Sequence, residues 1–379
     1  MDTIKIAIVL LTLIVVAIFS CNAMGGREIK PVTEETPIAI DVLGVNHGRG
    51  NIIGVQPCVS PTDYADKERF FMAMDRYLRA ASQKGWLNPK TIVIFPEYIG
   101  TWLLVANEDN AVYTTKTTSE VISSLAWRHP LAFIEKLFEA ARYANDNIRY
   151  SAFTIKAQQT AQIYHEVFSR LAKQYQVTIA AGSILLPGPE IEAGQLKTAD
   201  GPLYNVTVVY KPDGTPYDKI VRKAYITSFE ASFTAAGNPE DLPVFNTPAG
   251  KVGVLICADA WYPLAYSVLR RQRADLILVP SFKTLAGRLD RLWDGYNNHP
   301  APLDVDPNDI GTITEEQAML KYSLAGRMKS AGAKYGMNVF LRGALWDMDT
   351  DGYTITVEQD QVFEGEYHSG AALYNQWLQ

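Results

Sequence analysis

Short apolar runs alternate along the chain with longer stretches whose apolar positions recur every three or four residues. A short continuous run, or one with a period of two, predicts a strand, and a period near 3.6 predicts a helix face. Residues 51–56 form the first such strand of a folded core. Over 67–84, Phe70, Phe71, Met74, Tyr77, Leu78 and Ala81 fall on one helical face. Residues 91–95 predict a buried strand that ends at Pro96-Glu97, and 158–174 a helix followed by a strand over 177–183. A strand over 204–210 leads into the turn Pro212-Asp213-Gly214. A strand at 251–256, a helix at 263–273, a strand at 275–280, a helix at 315–335 and a strand at 338–346 complete the pattern. Such alternation predicts a layered α/β domain. Residues 107–148 and 285–313 read as insertions between these elements, the second rich in loop residues.

The N-terminus follows a different pattern. Residues 6–19 are apolar and uncharged, with Met1, Asp2 and Lys5 before them and Cys21 just after. A spanning helix needs roughly 20 apolar residues, so the run fits the core of a signal peptide better. Ile18-Phe19-Ser20-Cys21 resembles a bacterial lipobox, although Phe19 fits it poorly. Lipidation of Cys21, an uncleaved anchor and plain secretion are the three outcomes this segment allows. The expected organisation is a signal peptide or membrane anchor over 1–26, a tether over 27–37 and one domain over 38–379. That domain is expected to be membrane-tethered on the outer side of the cytoplasmic membrane.

Composition narrows the function. With 47% hydrophobic and 20% charged residues among 379, the chain can bury a large core and is not a disordered segment. A net charge of −6 leaves no basic excess to neutralise phosphates, which argues against nucleic acid as a partner. Three cysteines are too few for a disulfide framework, and the five histidines show no metal-ligand spacing.

Reactive side chains sit where three apolar segments end. Glu97 directly follows a buried strand and Pro96, and a semi-buried carboxylate with a raised pKa suits acid–base work near neutrality. Cys257 ends the strand 252–256 just before a helix. Backbone N–H groups at such an elbow are expected to favour the thiolate. Lys223 lies in a charged segment that runs to Glu230, where a fixed ammonium can hold an oxyanion. Each residue alone reads more simply as a solvated loop charge or a core thiol; the combination is far more specific.

In order and spacing these pieces resemble the nitrilase (carbon–nitrogen hydrolase) superfamily. Phe95-Pro96-Glu97 matches its glutamate motif, Arg222-Lys223 its lysine motif with Glu230 as the second glutamate, and residues 253–263 its cysteine motif. The segments Ala181-Gly182-Ser183 and Tyr204-Asn205-Val206 match its intervening strands, and the resemblance covers roughly residues 50–370. It implies a four-layer α–β–β–α sandwich, a homodimer or higher homo-oligomer, and no metal or organic cofactor. It also implies a catalytic set of Glu97, Lys223 and Cys257 that hydrolyses non-peptide C–N bonds of a small-molecule amide, or of a nitrile, through a cysteine thioester. Ala258 would contribute its N–H to the oxyanion and Glu230 would position Lys223. Tyr98, Trp102, Tyr225 and Trp261 are the candidates for the substrate pocket. An acyltransferase that passes the thioester to an amine, and a silent binding protein of the same fold, are the rival readings.

The chain departs from the family pattern in two places. Tyr225 replaces a histidine common two residues after the lysine, and Trp261 an arginine common four residues after the cysteine. Without that arginine a substrate carboxylate is not expected, and Trp261 suggests a more apolar pocket. Lys219 competes for the Lys223 role, but its spacing to Glu230 fits the motif less well. Other signals weigh less. Asp347, Asp349, Asp351, Gly352 and Glu358 match an EF-hand loop, yet strands are expected on both sides, so an acidic hairpin is the better reading. Asp304, Asp306 and Asp309 read as a solvated acidic loop, and Cys58 and His165 as packing residues. Asn205-Val206-Thr207 matches a glycosylation acceptor but sits on a core strand. Trp127, like Trp102, is a candidate for the substrate mouth.

Overall fold

The computed structural model describes residues 37–284 and 288–379. The apolar N-terminal run, Cys21 and all of the tether but Pro37 lie outside the described residues.

Two six-stranded sheets form the centre. In the first, the order is Ala39–Leu43, Ala372–Trp377, Asn51–Gln56, Thr91–Ile94, Thr178–Ala180 and Val209–Tyr210. Asn51–Gln56, Thr91–Ile94 and Thr178–Ala180 run parallel, with Asn51 opposite Thr91 and Ile92 opposite Thr178. The second sheet runs Val244–Thr247, Gly250–Val254, Leu276–Ser281, Tyr335–Phe340, Ile355–Glu358 and Gln361–Glu364. Its three central strands, Gly250–Val254, Leu276–Ser281 and Tyr335–Phe340, are also parallel. Parallel strands covered on both faces are apolar throughout rather than alternating, which is why these runs read so plainly.

Side chains alternate across the first sheet with a period of two. Ile53, Val55, Val93 and Ile179 face the helices Lys67–Gln83 and Ala157–Tyr175, packing on Met74, Leu78, Val167 and Phe168. Ile52, Ile92, Ile94 and Ala180 face the second sheet and share a core with Val254, Leu278 and Met337. The sheets approach closely at Gly54, where an added Cβ would lie 2.5 Å from Met337 Sδ and 2.8 Å from Val339 Cγ1. The second sheet is covered in turn by Pro263–Arg271 and Leu324–Ala331 through Leu269, Leu324 and Met328. The result is a four-layer α–β–β–α sandwich.

Several expected elements differ in detail. The helix expected over 315–335 is two helices, Glu315–Tyr322 and Leu324–Ala331, broken at Ser323 (φ −111°, ψ −149°), and the strand begins at Tyr335. The apolar period continues across the break, so periodicity alone does not reveal it. The expected strand 204–210 divides between two sheets. Leu203–Thr207 pairs with Ile184–Pro187 and Val221–Arg222, while Val209–Tyr210 joins the first large sheet. Residue 341 divides the strand expected over 338–346, and Arg342–Leu345 pairs with Cys58–Val59. The first insertion is helical: Asn110–Thr114, Thr118–Arg128 and Pro130–Ala140.

The EF-hand-like segment is a hairpin of Arg342–Leu345 and Met348–Asp349. Asp347 accepts from the Thr118 N–H at 2.8 Å, and Asp351 pairs with Arg342 at 3.3 Å. The acidic stretch 304–309 is less free than a solvated loop: Asp304 pairs with Arg327 at 2.6 Å and Asp309 with Lys321 at 2.7 Å. His165 is buried on its helix, with Nδ1 3.2 Å from the Tyr210 hydroxyl.

Candidate active site

Reactive groups at the C-terminal ends of parallel strands can converge from different sheets. Glu97 follows Thr91–Ile94 of the first sheet, and Cys257 follows Gly250–Val254 of the second. Lys223 follows the short strand Val221–Arg222. The structure brings the three together. Lys223 Nζ lies 2.8 Å from Glu97 Oε1 and 2.6 Å from Glu230 Oε2, and all three side chains are buried. The Cys257 thiol donates weakly to the Phe282 carbonyl at 3.7 Å, and the Glu97 carboxylate and Lys223 ammonium lie close enough to act on its charge.

The local backbone aims these groups. Cys257 has φ +48° at the start of a short helical turn, and Tyr98, next to Glu97, has φ +62°. Side chains rarely adopt this region unless the surroundings enforce it, and such strain gathers at functional sites. Around Glu97 the enforcement is visible. Tyr98 N–H donates to Ser183 Oγ at 2.8 Å, and Gly182 (φ +66°) leaves no space for a Cβ, which would lie 2.2 Å from the Pro96 carbonyl.

Two further residues complete the polar core, and neither carried a site role in the sequence reading. Asn205 Nδ2 donates to Glu97 Oε1 and to Glu230 Oε1, both at 2.9 Å, so one amide bridges the two carboxylates. Asp259 Oδ1 accepts from the N–H groups of Ala224 and Tyr225 at 2.9 and 2.8 Å, and Oδ2 from Ile256 N–H at 3.1 Å. It ties the lysine loop to the cysteine elbow. The signal available in sequence was a polar residue inside an apolar run: Asn205 on a core strand, Asp259 in Cys257-Ala258-Asp259-Ala260. Glu230 is held by the Tyr98 hydroxyl at 2.6 Å and by the Thr227 N–H and hydroxyl at 3.0 Å each.

Burial is the largest influence on each ionisable group, and the neighbours decide the outcome. Burial raises Glu97; the Lys223 ammonium opposes this and the Glu230 charge adds to it, so Glu97 sits above the usual carboxylate value. Burial works to lower Lys223, but the Glu230 and Glu97 carboxylates overcome it and keep the ammonium charged. Burial works to raise Glu230, yet Lys223 and the donors from Thr227 and Tyr98 hold it below its ordinary value. Cys257 corrects an expectation. Burial and the Glu97 charge push the thiol up to about 12 against the opposing pull of Lys223. The resting sulfur therefore keeps its proton, and the elbow alone does not supply a thiolate.

Cys257 opens on a cavity of about 190 Å³. Ala258, Tyr225 and Trp261 line it with Tyr262, Tyr296 and Asn338. Tyr225 and Tyr262 stack at 3.7 Å between ring centroids. Tyr98 and Trp102 do not line this cavity. The Tyr98 hydroxyl is spent on Glu230 and its ring packs on Phe282, whereas Trp102 lies in a separate chamber beside Phe153 and Trp346. Trp127 is largely exposed on its helix, and Lys219 lies exposed in a surface groove away from Glu97.

The family model for carbon-nitrogen hydrolases matches residues 52–296, more than half of the chain. The chain belongs to the carbon–nitrogen hydrolase family. Among curated proteins it is 25% identical over 175 residues to a probable hydrolase, YhcX, of Bacillus subtilis (strain 168), a match covering 46% of this chain and 28% of that protein. It is 27% identical over 158 residues to N-carbamoylputrescine amidase of Solanum tuberosum, covering 40% of this chain and 52% of that one. It is 30% identical over 119 residues to deaminated glutathione amidase of Synechocystis sp. (strain PCC 6803 / GT-S), covering 29% and 41%. The chain thus spans only about a quarter to a half of the length of these curated relatives. In fold it resembles an amidase from Nesterenkonia sp. with a TM-score of 0.50 at 14% identity, over 87% of this chain and 90% of that one.

Proposed function

We propose that the chain is a cysteine amidase that hydrolyses a small-molecule amide through a thioester on Cys257. What carries this reading is one constellation: a buried ammonium 2.8 Å from a buried carboxylate, both acting on the charge of a thiol that lines a cavity. Glu97, with its raised pKa, takes the thiol proton as sulfur attacks the carbonyl carbon. The Lys223 ammonium and the Ala258 N–H stabilise the oxyanion of the tetrahedral intermediate. Glu97 returns the proton to the leaving nitrogen, so ammonia or an amine departs and the acyl group stays on Cys257. Glu97 then activates water, which releases the acid and restores the thiol. Glu230 and Asn205 hold Lys223 and Glu97 in place.

Both nitrilases and amidases are among the curated relatives, so an amide is the first reading and a nitrile, open to attack by the same thiol, its alternative. The test is release of ammonia or amine from a panel of amides and nitriles by the wild type and by Cys257→Ala. Turnover of amides that the variant loses supports the reading; turnover that survives in Cys257→Ala would refute it.

We also propose that residues 1–26 hold the domain at the membrane, outside the cytoplasm. Fractionation of cells expressing the full chain and a version lacking residues 1–26 checks this, with membrane association expected only for the full chain.

A further inference from the structure

A second, more enclosed chamber of about 250 Å³ lies beside the reactive cavity. Its walls are mainly apolar: Trp102, Val121, Ile122, Phe153, Met348 and Phe282. The helix Thr118–Arg128 of the first insertion closes over it, and the hairpin at Met348 forms another side.

Two observations mark it as more than a packing gap. First, Phe282 belongs to both linings, and its carbonyl accepts from the Cys257 thiol at 3.7 Å. The chamber therefore begins one residue from the sulfur. Second, the rim carries Phe229, 56% exposed, with the Arg149 guanidinium 5.1 Å from its ring centroid. A large exposed ring at the mouth of an apolar chamber gives an apolar ligand a surface to enter along.

We propose that this chamber takes the apolar arm of the substrate, reached past Phe282 from Cys257. The substrate class is then a carboxamide with a medium-length apolar chain. The assignment rests on the amidase reading for the position of the carbonyl, but binding in the chamber can be measured without turnover.

The probes are acetamide and octanamide, tested with the full chain. Each methylene taken from water is worth about a fourfold gain in binding. Partial burial of the longer chain should therefore give octanamide a kcat/KM at least tenfold above acetamide. Ser119→Trp, which places a ring at the exposed edge of the chamber, should reduce the octanamide-to-acetamide ratio at least fivefold. Equal kcat/KM for acetamide and octanamide, or a ratio unchanged by Ser119→Trp, would overturn the proposal. If no amide is turned over, calorimetry of octanamide with Cys257→Ala decides. Binding that Ser119→Trp abolishes in that background supports the chamber and leaves only the amidase reading in error; absence of binding refutes the chamber itself.

Discussion

Glu97 has three polar neighbours besides the thiol, and the balance among them sets how the site should respond to pH. Its pKa is raised, so as pH falls the carboxylate gains its proton earlier than an ordinary glutamate would, and the base is lost. The acid limb of kcat/KM is therefore expected above pH 4.5, the usual glutamate value. Glu230→Gln removes a negative charge that raises Glu97, so that limb should move to lower pH while the maximal rate falls. A limb that stays in place would separate Glu230 from the titration. Lys223→Ala removes the ammonium from the oxyanion and should lower kcat roughly a hundredfold or more. Asp259 tests structure rather than chemistry. Its three N–H donors would lose their acceptor in Asp259→Ala, an expected loss of about 3 kcal/mol in denaturant unfolding. Burial also pushes Asp259 up to about 7, against those same donors.

The helix expected over 315–335 shows what an element demands beyond its periodicity. Gly326 sits in the second of its two halves, where an added Cβ would lie 1.9 Å from the Lys321 carbonyl of the first. Helix propensity alone predicts a gain of about 1 kcal/mol for Gly326→Ala. The contact at the break should dominate, giving a net loss of about 1–2 kcal/mol by thermal or chemical denaturation. A stabilised variant would mean that the two halves do not abut as described. The strands that carry Glu97 and Cys257 were legible in the sequence because they are short apolar runs that end abruptly in a reactive residue. The break at Ser323 was not, because it is set by packing between the two halves while the apolar period runs on. The placement of Trp102 was hidden for a similar reason: proximity to Glu97 in sequence does not tell which side of Phe282 a side chain occupies.

Across the whole molecule the site depends on two sheets holding a fixed separation. Glu97 rides on the first sheet and Cys257 on the second, and Gly54 marks their close approach against Met337 and Val339. Gly54→Ala already meets both the flexible Met337 thioether and the stiff Val339, and is expected to cost about 1–2 kcal/mol. Gly54→Val adds two methyl groups to the same contact, and is expected to cost about 2–3 kcal/mol or more and to lower activity along with stability. A stability loss without a loss of activity would show that the sheet separation is not what aligns Glu97 with Cys257. The α/β layering could be read from the pattern, while the four layers and the roles of the three motif residues followed from the resemblance to the family. The roles of Asn205 and Asp259 could not be read, since each joins segments 25 to 108 residues apart in sequence. The most direct test of the account is mass spectrometry of the full chain quenched during turnover of an amide, with ammonia or amine followed in parallel. The account predicts an added mass equal to the acyl group on Cys257, formed as the amine appears and absent from Cys257→Ala. Amine release with no acyl adduct on Cys257, and undiminished in Cys257→Ala, would contradict it.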